Sequence, residues 1–420
     1  MSNKIAPQFF DHIILGGGIV GLSIASQLSK FGENTLLIER RSKFLQETST
    51  HNSGVVHSGL YYPKESLKTK LCIEGNRWLW DHNNNNNNNT IIDAKKCGKW
   101  IIATSQEEIP KLKSLKQALE ERGMPSRWVS KKERNSTEPE LECIECLESE
   151  NTGIVDVHSL ANYFEHKFLS ENDGGIALFK TEINSMKIAA DGSLQLELND
   201  EAKTIVQSKT VINSTGLFAS NVAQEIRLAA NLSSTKFPER MVQKLCRGTY
   251  VTLSGKQLLH RLVYPCPLEN LAGLGVHSVI DFANSSLLFG PNVEFLSEEE
   301  TQNVILSKSH DSSRYLLPFS SSSKNKKEQD EFLDTVHSAV KRYLPKIERE
   351  KLRPAYCGIR PKLSGKGEAF RDFMIEIDQD VFEATRGELK VVNCLGIESP
   401  GLTASPAIGR YVVEDVLKKN

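Results

Sequence analysis

Residues 13–21 read Ile-Ile-Leu-Gly-Gly-Gly-Ile-Val-Gly, and residues 35–39 read Thr-Leu-Leu-Ile-Glu. The pattern predicts a strand, a G-x-G-x-x-G turn on Gly16, Gly18 and Gly21, a helix, a second strand and a terminal carboxylate. Each part has a job on one ligand. Gly16 permits the tight turn, Gly18 lets backbone approach a pyrophosphate, and Gly21 lets the helix pack on the strand with its N-terminus toward the phosphates. Glu39 suits a ribose 2′-hydroxyl and repels a 2′-phosphate. The opening of the chain therefore reads as a dinucleotide site.

Working outward, 420 residues suggest two or three domain-sized units, and 39% hydrophobic with 25% charged residues suit a globular chain with a sizeable core. The formal net charge of −1 supplies no basic field for a nucleic-acid partner. Eight scattered cysteines do not make a disulfide framework. Cys143 and Cys146 form a lone C-x-x-C, read as chance spacing on a surface segment, and no metal site is expected. No apolar run is long enough to span a bilayer. The first strand begins so early that little room is left for a transit peptide.

Asn83–Asn89 is a tract of seven asparagines, expected to be a disordered surface insertion. Residues 91–102 read as strands of another unit. Residues 106–123 read as an amphipathic helix with Leu112, Leu115 and Leu119 on one side. Ser130–Glu150 reads as loop and short helix, and the helix after Val157 takes Asp156 or Ser159 as its N-cap. Strands are expected in 182–198 and 204–213, the latter ending at Ser214-Thr215-Gly216 before a helix from Ala219. Residues 246–293 suit an antiparallel sheet. Ser320–Gln329 reads as an exposed loop, Glu331–Tyr343 as a helix, and the end of the chain as a strand at 389–393, a turn and a helix from about Ala404. This last unit supplies what the opening unit lacks.

The expected fold is α/β: a discontinuous Rossmann-like dinucleotide domain (1–90, 151–235 and 355–420) with an inserted antiparallel β-rich substrate domain (91–150 and 236–354).

Three segments carry further chemistry. His51-Asn-Ser-Gly-Val-Val-His-Ser-Gly-Leu-Tyr-Tyr62 is rich in small residues that let a flat ring lie against backbone. Arg353–Lys362 places Arg360 between Ile359 and Pro361. Gly396–Ser405 is a turn whose N–H groups lead into a helix.

The fingerprint, His51–Tyr62 and Lys68–Gly75, together with Gly273-Leu-Gly-Val-His277, Phe289–Asn292, Gly358–Pro361, Asp372–Glu376 and Gly396–Ile408, resemble the FAD-dependent amine and hydroxy-acid oxidoreductases of the D-amino-acid-oxidase type. Within them the likeness is to the branch that oxidises 2-hydroxyglutarate, and it covers nearly the whole chain. The resemblance implies FAD; the residues alone leave NAD as the runner-up, which needs the same first unit but not the C-terminal return of the chain. The cradle would comprise Gly16, Gly18, Gly21, Glu39, Arg40, His51, Asn52, Ser53, Gly54, Thr215, Gly216, Gly401, Leu402 and Thr403. The last three would steady negative charge developing on the flavin. It also implies a small 2-hydroxy dicarboxylate as substrate. Hydride would pass from Cα to flavin N5 while His57 or His277 takes the hydroxyl proton. Arg360 would grip a carboxylate, and Tyr250, Tyr264 and Lys362 would add hydrogen bonds. A mitochondrial setting, a quinone-level electron acceptor and peripheral membrane association are further expectations of the resemblance. Two other readings compete: oxidation of another hydroxy acid or amino acid, such as glycerol 3-phosphate, and a non-catalytic flavoprotein. A dicarboxylate demands a second cation beyond the first; an amine favours an acidic or aromatic partner.

Overall fold

The computed structural model describes residues 6–84, 92–171, 175–233, 237–267, 275–306 and 323–418. The two opening strands form as their patterns require. His12–Leu15 and Thr35–Ile38 pair in parallel, and their apolar runs are buried on both faces. They lie in a six-stranded sheet with Ile176–Leu178 on one side and Thr210–Asn213, Lys390–Leu395 and Met374–Ile377 on the other. The C-terminal strand pairs in parallel with Thr210–Asn213, so the end of the chain completes the sheet its opening began. Asn213 secures that join: its buried amide donates to Asn393 Oδ1 at 2.9 Å.

Three helices cover one face. Ile19–Leu28, Leu67–Asn84 and Gly401–Arg410 meet at glycines. A Cβ on Gly75 would stand 2.0 Å from Thr403 O, and one on Gly409 would stand 2.5 Å from Ser23 Oγ. Leu22, Ile24, Leu71, Leu79 and Ile408 fill the space between helices and sheet. Each contributes about 1.5–3 kcal/mol by leaving water.

The second large sheet has nine strands among the described residues. Lys244–Leu253 and Leu352–Lys362 form its long antiparallel pair. Leu262–Pro265, His277–Ile280 and Leu287–Gly290 follow antiparallel to one another. Lys99–Ala103 and Glu145–Ser149 extend it from the other inserted segment. A small sheet of Val55–Val56, Gly153–Val155 and Ala94–Lys95 ties this unit to the nucleotide unit.

Several expectations need correction. Leu262–Pro265 runs parallel to Lys99–Ala103; the two come from separate insertions, so no hairpin fixes their relative direction. Leu352–Lys362 crosses the expected boundary at 355, because its ladder with Lys244–Leu253 holds it in the large sheet throughout. Glu145–Ser149 is a strand with Cys146 and Leu147 fully buried, so Cys146 is core rather than surface. Ser323–Lys341 is one helix where a loop was expected to reach Gln329. Its Lys, Glu and Gln residues are good helix formers that need no burial, while Leu333, Val336 and Val340 supply the buried stripe. The helix Leu67–Asn84 runs into the asparagine tract, of which residues 85–89 lie outside the described residues, as do Ser320–Ser322. The helix after Val157 is capped by Asp156, which accepts from His158 N; Ser159 accepts instead from Asp93 N.

Candidate active site

The carboxyl ends of the parallel strands open onto one cavity of about 1370 Å³ that runs to the face of the large sheet. That exceeds the roughly 300–1,000 Å³ of ordinary small-molecule sites and suits a dinucleotide with a second small molecule beside it.

The nucleotide end is a cradle of backbone. Gly16 has φ +99°, and a Cβ there would stand 2.7 Å from Ser214 O. A Cβ on Gly17 would meet the Phe44 ring at 2.5 Å, and one on Gly18 would meet Ser49 Oγ at 3.1 Å. Gly18 caps the helix Ile19–Leu28 without a side-chain hydrogen bond, leaving part of the first turn open to the cavity. Glu39 ends its strand at the cavity wall. Its Oε2 accepts from Gly17 N at 2.8 Å and its Oε1 from Arg41 N at 2.7 Å. Burial raises its pKa, against the pull of those two N–H groups. The expected ribose contact would therefore use the lone pairs that these two bonds leave. Arg40 lies over the Phe218 ring at 3.7 Å and pairs with Glu47 at 2.9 Å.

The loop His51–Gly54 runs beside Leu352–Lys362. A Cβ on Gly358 would stand 2.0 Å from His51 O, so the two backbones touch. Tyr356 Oη donates to Asn52 O at 2.8 Å. His51, Asn52, Ser53, Thr215, Gly216, Gly401 and Leu402 line the cavity. Three expected contacts do not. Gly21 packs on Gly16 O, where its missing Cβ would be 2.0 Å away. Gly54 is turned toward Val155 by its positive φ of +63°. Thr403 is buried, accepting from His57 N at 3.0 Å and donating to Val55 O at 3.2 Å. These residues build the wall from behind. The helix begins at Gly401 rather than Ala404, bringing its first turn to the cavity.

The residues that resemble a flavin cradle thus fit one: a glycine turn that tolerates no Cβ, an open helix N-terminus, a carboxylate at the second strand and a third turn at Ser214–Gly216.

At the far end stand His57, His277, Arg360, Tyr250 and Tyr264, all on the cavity. His277 opens the strand His277–Ile280 and stacks on Tyr264 with centroids 3.9 Å apart. Its Nδ1 is 3.2 Å from Gly275 O. A carbonyl only accepts, so Nδ1 carries the hydrogen and Nε2 keeps its lone pair. Of the stretch Gly273–His277, residues 273 and 274 lie outside the described residues. His57 Nε2 is 3.5 Å from Ser399 Oγ, a partner that does not fix the tautomer. Burial first, and the nearby Lys99 charge in addition, lower both histidines to about 3. Both are neutral at physiological pH.

Arg360 is anchored by one nitrogen. Nη2 donates to Asn292 O at 2.6 Å and Arg247 O at 3.0 Å, while Nε is buried with no partner among the described residues. Tyr264 Oη is likewise without a partner, and Tyr250 stacks on Tyr356 at 4.8 Å.

Sequence reasoning missed four neighbours. Lys99 is 1% exposed, with its amine 4.7 Å from the Tyr61 and Tyr264 ring centroids. Burial lowers its pKa to about 7, with no carboxylate among the described residues acting on it. A lysine heading the apolar run Lys99-Trp-Ile-Ile-Ala103 was the available signal. Tyr62 Oη donates to Ser399 Oγ at 3.2 Å. Lys68 and Glu398 form an ion pair at 2.9 Å on the same wall.

Comparison with known proteins agrees with this geometry. Residues 11–415 match the family model described as FAD dependent oxidoreductase (DAO). A relative from Arabidopsis thaliana named L-2-hydroxyglutarate dehydrogenase, mitochondrial, is 32% identical, covering 99% of this chain and 85% of its own. A Salmonella houtenae protein named L-2-hydroxyglutarate dehydrogenase is 26% identical, covering 97% of this chain and 93% of its own. Among solved structures, the L-alpha-glycerophosphate oxidase of Mycoplasma pneumoniae with FAD bound superposes with TM-score 0.72 at 23% identity, covering 97% of this chain and 94% of that one. Glycine oxidase from Geobacillus kaustophilus superposes with TM-score 0.69 at 17% identity, covering 98% and 95%.

Proposed function

The chain belongs to the DAO family of FAD-dependent oxidoreductases, and on that premise we propose that it oxidises L-2-hydroxyglutarate to 2-oxoglutarate. The observation that carries the reading is Arg360: a guanidinium fixed at one end, with a buried Nε left unpaired on the cavity that also holds the glycine cradle and a lone-pair-bearing imidazole. A buried unpaired donor costs about 1–3 kcal/mol, which an incoming carboxylate relieves.

Gly16–Gly18, Glu39, Thr215, Gly216 and the turn before Gly401 would hold the FAD, with Gly21 behind them. When bound, it accepts the hydride from the substrate Cα. The remaining work belongs to this chain. Arg360 binds and orients the C1 carboxylate. His277 Nε2 accepts the hydroxyl proton, and Tyr264 holds the imidazole flat by stacking. In the empty cavity His277 is a weak base. The negative charges of a bound dicarboxylate raise its proton affinity, so the base strengthens when substrate arrives. The small residues around the cradle and the buried rings of Tyr250 and Tyr264 exclude water.

The printed name of the Arabidopsis relative supports a mitochondrial setting, which subcellular fractionation tests. A quinone-level acceptor and peripheral membrane association rest on the resemblance. No described helix is long and apolar enough to cross a membrane.

Steady-state assays with an artificial electron acceptor test the activity. L-2-hydroxyglutarate should be turned over with stoichiometric 2-oxoglutarate. Faster turnover of glycerol 3-phosphate or of an amino acid would contradict the reading.

A further inference from the structure

A second cationic site stands on the same strand as Arg360. Arg360 and Lys362 are two residues apart in Leu352–Lys362, on the same face, about 6.6 Å apart along the strand. Both line the cavity. Lys362 Nζ lies 2.5 Å from Glu398 Oε2, and Lys68 Nζ lies 2.9 Å from Glu398 Oε1. One carboxylate is thus clasped by two lysines. The Lys68 and Glu398 side chains are 4% and 10% exposed.

The charge count is informative. Two ammonium groups share the Glu398 carboxylate. Asp372 caps the helix Leu67–Asn84, accepting from Leu67 N and Lys68 N, and its charge also acts on Lys68. Lys68, Lys362 and Arg360 thus stand against Glu398 and Asp372, and the positive charge in excess is that of the substrate-facing wall. Tyr62, Phe370 and Phe373 surround the Lys68 ammonium at 5.7, 5.3 and 5.3 Å from their ring centroids. The Phe370 ring is 47% exposed but Lys68 only 3%, and at so buried an ammonium an incoming anion interacts more strongly than it would in bulk solvent. Burial lowers the Lys68 pKa while Glu398 raises it, and the two lysines hold Glu398 below the ordinary carboxylate range against its burial. The next residue, Ser399, reaches both His57 and Tyr62. The clasp therefore adjoins the reacting end of the cavity.

We propose that Lys362 and Lys68, held in place by Glu398, receive the distal carboxylate of the substrate and select a five-carbon diacid over 2-hydroxy monocarboxylates. This rests on the activity proposed above. The carboxylate carbons of such a diacid are four C–C bonds apart, about 5 Å when extended, the same order as the spacing of Arg360 and Lys362 along their strand. Glu398 keeps the lysines paired in the empty cavity. The distal carboxylate then takes the ammonium hydrogens that Glu398 leaves free.

The test uses FAD-loaded enzyme and two unreactive ligands of equal length, glutarate and pentanoate. Binding is read from perturbation of the visible flavin band, so no turnover is needed. The wild type should bind glutarate at least about 10-fold more tightly. In Lys362→Met that preference should collapse through loss of about 10- to 100-fold in glutarate affinity, with a much smaller change for pentanoate. Lys68→Met provides a second variant, and Lys362→Arg should retain most of the preference. In turnover, Lys362→Met should raise KM for L-2-hydroxyglutarate far more than KM for L-2-hydroxypentanoate. Equal weakening of both ligands would reduce the clasp to a structural ion network and overturn the proposal, as would a preference untouched by either methionine. A glutarate preference that these variants erase, in a protein that oxidises neither hydroxy acid, would support the clasp and overturn the proposed activity.

Discussion

In the turn Leu15–Gly21 an added methyl group meets neighbouring atoms at each of the four glycines. Along Leu352–Lys362, at the far end of the chain, the cavity is instead met by long side chains aimed from an antiparallel ladder. The cradle works through what its residues lack, and the substrate wall through what its residues carry. Damage should differ accordingly. Cradle substitutions should cost the cofactor or the fold, and wall substitutions should cost kinetics while the protein stays yellow.

The largest effect is expected at Gly21→Ala, whose Cβ would be driven to within 2.0 Å of Gly16 O. Relief requires the helix to leave the strand, at about 3 kcal/mol. The purified variant should lose most of its FAD and melt earlier, as absorbance ratio and thermal scans will show. Next comes His277→Ala, which should keep FAD and lose about 10²–10⁴-fold in kcat. If it also loses FAD, cradle and wall are not separable at that point. Arg360→Ala should raise KM about 10- to 100-fold with a smaller loss of kcat, since a charge-assisted bond to a carboxylate is removed.

How much of this was legible in the sequence follows the same divide. The glycine turn, Glu39 and the strand–helix–strand order are local, and a backbone cradle must be spelled with glycine wherever a Cβ would clash. The return of the chain's end to the opening unit was legible because that unit lacked its later strands, whereas its pairing with Thr210–Asn213 emerged only in the fold. The wall was legible only in part. Arg360, His57 and His277 stood out through the family resemblance. Lys68, Lys99 and Glu398 did not, because register and loop packing bring them together from remote segments. Nothing local marks Glu398 as the partner of two lysines. The strand Glu145–Ser149 was hidden for a related reason: Glu145 and Glu148 occupy a sheet whose ion pairs with Arg127, Arg134 and Arg261 come from elsewhere.

The smallest expected effect concerns pH. His57 and His277 are lowered to about 3, first by burial and then by neighbouring charges. A base with a lowered pKa is ready above that value, so kcat/KM should show no histidine limb between pH 5 and 8. Lys99→Met removes a nearby positive charge, so histidine pKa values should rise and the acidic limb should move up toward neutrality. A limb near 6.5 in the wild type would show that the histidines are not shielded from solvent as described.

One anaerobic titration tests the assigned reaction most directly. L-2-hydroxyglutarate added to the purified, oxygen-free holoenzyme should bleach the flavin band near stoichiometry, with the D-isomer inert and Arg360→Ala requiring far more substrate. A flavin band that stays oxidised at saturating L-2-hydroxyglutarate would leave the fold and the cradle standing and contradict the assigned reaction.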